Sequence, residues 1–314
     1  MSASPIRVAV GGGKGGVGKS LVAVNLGVTL AAIGLRTVLV DGDLGTPTLH
    51  TLLGVDRIGP TMRALLDRKI GRLDEAMVGT GVPRLSLVAG TSLPGSANIS
   101  HQEKLKLVRH VRAIDADVVI VDVGAGASFH TLDLFGAGDL RLIVATPELT
   151  SLQNAYCFLK AALTREVGAV TRAMGAPESW AKAFDGRDVG RMGAAIEQLA
   201  TEHPEVARVV RSRIDGFGVR WVGNRVDGAG GSRAIQALPR LAREYLSIET
   251  PVVTCIPQSS AMERSVGERS PAMLSARSEP VLARAFDRLA EEVVAFEARP
   301  AEPIVPPVAM RESA

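Results

Sequence analysis

Ile6-Arg7-Val8-Ala9-Val10-Gly11-Gly12-Gly13-Lys14-Gly15-Gly16-Val17-Gly18-Lys19-Ser20 decides how this chain is read. Residues 6–10 form a short run rich in β-branched side chains, the mark of a buried parallel strand. The strand breaks into glycines, and Gly13 to Ser20 fits G-x-x-x-x-G-K-[ST]. Glycines there let successive backbone N–H groups turn inward around phosphate oxygens. The helix predicted over 20–33, closed by Gly34, aims its positive end at the same anion. Lys19 supplies a cation to β- and γ-phosphates, and the Ser20 hydroxyl suits Mg²⁺. Gly13, Gly15, Gly16, Val17 and Gly18 form the cradle. At average composition this pattern arises by chance on the order of once in a hundred such chains. Its place between a strand and a helix gives it meaning.

Outward from the loop, 36–40 reads as the next strand, ending at Asp41, so the first forty residues make a βαβ unit with a right-handed crossover. Strands are predicted at 84–89, 118–121, 140–145, 221–223 and 252–256. Helices are predicted at 101–114, 151–167, 232–245 and 280–296, with two short helical patterns over 61–77. The stretch 171–213 is charged, helical and poor in strand signals. The expected fold is α/β: a doubly wound, mostly parallel sheet flanked by helices, with a helical insertion. Residues 1–298 are read as a single P-loop domain, with the insertion at about 168–215. The Pro-rich tail 299–314 is expected to be disordered.

Ligands of open α/β sheets bind beyond the C-terminal strand ends. Asp41, Asp43 and Asp122 fall there. Asp122 follows Val-Val-Ile-Val, the pattern of a Walker-B strand whose carboxylate holds Mg²⁺ through water. Gly124-Ala125-Gly126 then provides the mobile backbone that a γ-phosphate sensor needs. Singly, an aspartate at a strand end is more often a cap or turn residue. Three of them in this order, after this loop, favour a nucleotide site.

Lys14 adds a lysine that a plain P-loop does not require. Through Lys14-Gly15-Gly16-Val17-Gly18-Lys19-Ser20 the chain resembles the deviant Walker-A ATPases of the MinD/ParA family. The resemblance implies that Lys14 crosses a dimer interface to touch nucleotide held by the other subunit. It implies that Asp41-Gly42-Asp43-Leu44-Gly45 is switch I, with Asp41 near the metal and Asp43 positioning or activating the attacking water. Leu21 stands where many relatives carry a Thr that contacts the α-phosphate. Asn224 matches the family's adenine-contacting Asn, and Pro257 begins the loop that flanks the base. Thr146-Pro147-Glu148 ends a strand as in MinD-like proteins. The implied function is an ATPase in which Mg-ATP drives homodimerisation and slow hydrolysis resets the switch. Relatives use it to position division sites, flagella, chromosomes or other cargo through protein partners.

Composition narrows the classes. The chain has 314 residues, 46% hydrophobic and 22% charged, which excludes general disorder. A net charge of +3 is too weak to indicate nucleic acid alone. The cluster Arg208, Arg211, Arg213 and Arg220 could touch phosphates, but a solvated face paired with nearby acids is the better reading. Cys157 and Cys255 stand apart without a CxxC, which argues against a disulfide framework or a metal-cluster carrier. The five histidines lack metal spacing. Bacterial tyrosine kinases with a related loop end in a tyrosine cluster, and here the tail has none. A nucleotide-sensing scaffold that does not hydrolyse remains the alternative. No signal peptide or membrane span is evident, and a cytoplasmic protein is expected. The last helix carries Leu282, Phe286, Leu289 and Val293 on one face and mixed charges on the other, a core pattern rather than an autonomous membrane anchor.

Overall fold

The computed structural model describes residues 5–91, 99–177, 179–180, 192–275 and 279–297. The expected tail and part of the expected insertion, 181–191, lie outside them. The strands are β1 (Ile6–Gly11), β2 (Thr37–Gly42), β3 (Met77–Gly79), β4 (Leu85–Val88), β5 (Val118–Val123), β6 (Leu140–Ala145), β7 (Val219–Val226) and β8 (Val252–Pro257). They form one sheet in the order β3-β4-β2-β5-β1-β6-β7-β8. Every pairing is parallel except β3 with β4. From β1 the chain first builds one side of the sheet and then, at β6, the other. The C-terminal end of β1 is therefore the point where strand order reverses, the place where ligands of such sheets bind.

The helices are α1 (Lys19–Ala32), α2 (Leu49–Leu52), α3 (Met62–Leu66), α4 (His101–Arg112), α5 (Phe129–Gly136), α6 (Leu149–Ala173), α7 (Met192–Glu202), α8 (Pro204–Asp215), α9 (Gly228–Leu246), α10 (Ser260–Glu268) and α11 (Pro280–Ala295). The strand alternation divides the core between the two faces. Val8, Val10, Val118 and Ile120 pack with α1 and α11, while Ala9, Val119, Val121 and Val123 pack with residues of α5, α6 and α8. A strand buried on both faces reads as a near-continuous apolar run, interrupted only by Arg7 in β1 and Arg141 in β6, which is why these strands and β5 are plain in the sequence.

Four elements are not evident in the sequence. β3 is a three-residue edge strand, too short to show alternation. α2 has four residues, α5 eight and α10 nine. α6 outruns its predicted span in both directions, reaching Ala173. The predicted face of α11 turns inward: Leu282, Phe286, Leu289 and Val293 have no exposed surface.

Candidate functional site

The loop between β1 and α1 closes against two neighbours. A Cβ on Gly13 would lie 2.0 Å from the Asn154 carbonyl oxygen of α6, so only glycine fits. Gly18 has φ 94°, and a Cβ there would meet the Asn224 amide nitrogen at 2.2 Å. That nitrogen donates to the Val17 carbonyl at 2.8 Å, tying the loop to β7. Lys19 and Ser20 open α1, in the position where a helix terminus supports an anion.

Lys19 is buried, which pulls its ammonium below the usual lysine range; Asp122 and Asp43 draw it back up. Asp122, near the end of β5, is 1% exposed, and its Oδ1 has no partner among the described residues. Burial pushes this carboxyl up to about 7, against a hydrogen bond from Ser20 and the charge of Lys19. Asp41 is the register partner of Asp122 on the adjacent strand β2. Burial first, and then Asp122, raise it to about 8. Its oxygens accept the N–H of Leu49 at 2.9 Å and of Asp43 at 3.4 Å, so Asp41 braces the chain leaving β2.

Asp43 caps its own turn. Oδ1 accepts from the N–H of Gly45 and Thr46 at 3.0 and 2.9 Å, and Oδ2 from the Thr46 hydroxyl at 3.2 Å. A Cβ on Gly124 would stand 3.3 Å from this carboxylate, so the segments after β2 and β5 touch. The structure thus gathers Lys19, Ser20, Asp41, Asp43 and Asp122 at one crevice.

An oxygen that is buried, unpartnered and neighboured by a hydroxyl fits a hard cation. Among the described residues no group of three or more His, Cys, Asp or Glu could hold a metal ion alone. One buried carboxylate oxygen beside a hydroxyl would suit Mg²⁺, which keeps waters and takes substrate phosphates as ligands.

Lys14 pairs with residues outside that cluster. Its ammonium lies 3.2 Å from the Thr150 hydroxyl and 3.5 Å from Glu148 Oε2, and its side chain is 42% exposed. Leu21, Asn224 and Pro257 line one cleft of about 60 Å³, with Arg225, Gln258, Ser259, Met262, Glu263 and Val266. The last four escaped sequence reasoning because they belong to α10 and its cap; the Ser-x-x-Met-Glu start of that helix was the available signal. Two larger cavities, of about 600 and 330 Å³, lie elsewhere, among α4, α5 and α6 and at the start of β7. Arg208, Arg213 and Arg220 each pair with a carboxylate, on Glu205, Glu166 and Glu292. No helix among the described residues is long and apolar enough to cross a membrane.

Residues 8–272 match a family model described as the CobQ/CobB/MinD/ParA nucleotide binding domain. The chain is 32% identical over 157 residues to a putative septum site-determining protein MinD of Oltmannsiellopsis viridis, covering 49% of each chain. It is 35% identical over 165 residues to the antiactivator FleN of Pseudomonas aeruginosa, covering 51% of this chain and 57% of that one. The matches thus span about half the length of these relatives. In structure it resembles the septum site-determining protein MinD of Pyrococcus horikoshii complexed with Mg-ADP. The TM-score is 0.62 and the identity 21%, over 93% of this chain and 96% of that one. That likeness is one of fold.

Proposed function

The chain belongs to the CobQ/CobB/MinD/ParA nucleotide-binding family, and on that premise we propose that it is an ATPase in which Mg-ATP assembles a homodimer and slow hydrolysis dissolves it. The observation that carries this reading is the buried, unpartnered oxygen of Asp122 beside Ser20 and Lys19. A carboxylate oxygen so placed, with no partner among the described residues, has its use in a phosphate-bound cation. Ser20 and Asp122 would hold Mg²⁺, with Asp41 behind them. When bound, the ion neutralises charge on the β- and γ-phosphates.

The chain's own groups do the rest. Backbone N–H groups of residues 13–20 hold the phosphates, and Lys19 balances developing charge on the γ-phosphate. Asp43 orients the attacking water once its carboxylate is released from its own turn. Lys14, now held by Glu148 and Thr150, leaves them to reach the nucleotide of a second copy. Leu21, Asn224 and Pro257 receive the base. Dimer formation then presents a surface to a protein partner, and the cargo positioned by the cycle is a division site, flagellum, chromosome or other assembly. The protein acts in the cytoplasm and reaches membrane or nucleoid through partners, since the apolar face of α11 is already committed to the core.

One observation favours a second reading, a nucleotide sensor without turnover: both Asp43 oxygens are engaged by its own turn. Hydrolysis measured against protein concentration, alongside size-exclusion with ATP, separates the two. Turnover per subunit that rises with concentration supports the ATPase; a dimer without turnover supports the sensor.

A further inference from the structure

The cavity of about 600 Å³ among α4, α5 and α6 takes no part in the nucleotide reading. It is a groove that runs over α5, and both flanking helices pack against α5. Its floor is apolar and buried, made by Leu132, Ala137, Ala162 and Phe217. On α6 the wall is low, because Ala169 and Ala173 are small and share the face of Ala162. Gly136 deepens the groove: a Cβ there would meet nothing within 4 Å. On α4 the rim is Val108 and Leu105, and Leu105 is 55% exposed. Phe129, 70% exposed, continues the apolar surface, its ring centre 4.6 Å from the guanidinium of Arg165 in the groove wall. Exposed apolar side chains gathered around a concavity mark a contact site.

The charges of the groove are unequal. Arg112, Arg165 and Arg172 line it, with Asp133 and Glu166. Both acids are already engaged. Asp133 accepts from Arg165 at 2.8 Å and pairs with Lys104, and Glu166 pairs with Arg213 at 3.5 Å. Arg141 lies beneath the floor. Its buried guanidinium donates to the Gly136 and Phe217 carbonyls and stacks 4.2 Å from the centre of the Phe217 ring. Glu166 and Asp139 act on it only from beyond ion-pair distance, against the repulsion of Arg112 and Arg213. A buried cation without a carboxylate of its own is costly, and an anion brought close above it lowers that cost.

We propose that this groove receives a short amphipathic helix of a partner protein, with apolar side chains on the floor and an acidic side chain at the end lined by Arg112. α6 borders the groove from Ala162 to Ala173, about 16 Å at the helical rise, so the docked helix has about three turns. The excess of guanidinium groups selects the acidic flank. A flat lipid leaflet does not reach a floor sunk between two helices, and the carboxylates of Asp133 and Glu166 would face it. The groove extends toward the end of the sheet where strands begin: Arg112 closes α4 ahead of β5, and Phe217 precedes β7. The phosphate loop is at the other end, so the inference stands apart from the nucleotide reading, and a dimer joined through Lys14 leaves the groove open.

The test is selection of a displayed library of helical peptides, randomised on one face, against the full chain. The winners should carry apolar residues at i, i+3 or i+4, and i+7, with Asp or Glu beside them. The best winner is then synthesised and titrated by fluorescence anisotropy. Ala169→Glu, which puts bulk and negative charge into the groove from an exposed position, should weaken it at least about tenfold. Arg112→Glu should do the same, while Arg240→Glu, exposed on α9, should leave it unchanged. Hydrogen exchange on the unaltered chain, which needs no variant to fold, should show the peptide protecting residues 129–137 and 162–173. No enrichment, winners with Lys or Arg in place of the acids, protection elsewhere, or full affinity in both groove variants would overturn the proposal. So would binding to phosphatidylglycerol vesicles that Ala169→Glu abolishes, which would give the groove to a membrane. A dimer of the unaltered chain without nucleotide that Ala169→Glu dissolves would give it to a second copy and overturn the proposal too.

Discussion

The Lys14 ammonium and the Glu148 carboxylate of the same chain stand 3.5 Å apart, with the Thr150 hydroxyl 3.2 Å from the same nitrogen. Both side chains are substantially exposed, so the contact is weak, worth at most about 1 kcal/mol. A lysine held so lightly is available to another subunit. Replacing Glu148 by Gln should therefore favour the ATP-bound dimer by no more than about fivefold in dissociation constant. Lys14→Ala should retain ATP binding by the monomer and lose ATP-dependent dimerisation. Analytical ultracentrifugation with and without Mg-ATP checks both; dimerisation of Lys14→Ala at the unaltered concentration would refute the shared-site role.

Asp43→Ala should bind Mg-ATP and hydrolyse it at least about a hundredfold more slowly, because a water-positioning group acts chiefly in the transition state. The ATP-bound dimer should then accumulate on size-exclusion. Unchanged turnover would take Asp43 out of the reaction.

Asp122→Asn keeps the shape of the side chain but replaces one acceptor oxygen by a donor. The nucleotide should still bind in EDTA about as well as to the unaltered chain, while the gain in affinity on adding Mg²⁺ should largely vanish. Titrations of ATP in EDTA and in Mg²⁺ measure that difference. An undiminished Mg²⁺ effect would place the ion elsewhere.

Gly13→Ala should cost both stability and binding. The new Cβ would sit 2.0 Å from the Asn154 carbonyl, a backbone atom that cannot rotate away. Overpacking of this kind costs about 1–3 kcal/mol. The melting temperature without ligand should fall, and the stabilisation given by Mg-ATP should fall too, because relief of the clash separates the loop from α6.

Asp133 gives the stability a pH dependence. It lies on α5 between Arg165 and Lys104. Burial works to raise its carboxyl, but hydrogen bonds from these two cations win and hold it below the ordinary carboxylate range. A depressed pKa stabilises the fold above the unfolded value, near 4, and that contribution is lost as the pH falls through the folded value. Asp133→Asn should lower stability at pH 7 by on the order of 2 kcal/mol. It should also flatten the decline seen between about pH 5 and pH 2. Denaturant titrations across that range would show parallel curves if Asp133 had no such part.

The sheet was legible because its central strands are buried on both faces and so carry mainly apolar runs that end at the candidate site residues. Asp122 after Val118 to Val121 is the clearest case. α5 was harder. Phe129 and Leu134 differ widely in exposure, and the glycines just before the helix dominate the local pattern. α10 was hidden for another reason: its start is fixed by Glu279, a residue far along the chain, and a window of sequence around Ser259 does not contain that anchor. The identities of loop residues were visible, but their pairings were not. Nothing near Lys14 in sequence announces Thr150, and nothing near Asp43 announces Gly124.

α1 is buried at eleven of its fourteen positions, between the sheet and α11. A helix enclosed this way cannot tilt without opening the core on its whole side of the sheet. The loop proposed to hold the phosphates is therefore anchored on a fixed element. On the proposed function, movement between nucleotide states falls to the segments after β2 and β5, which meet at Asp43 and Gly124. Amide hydrogens of α1 should exchange among the slowest in the chain in every nucleotide state, with those of residues 43–48 and 124–128 tracking the ligand.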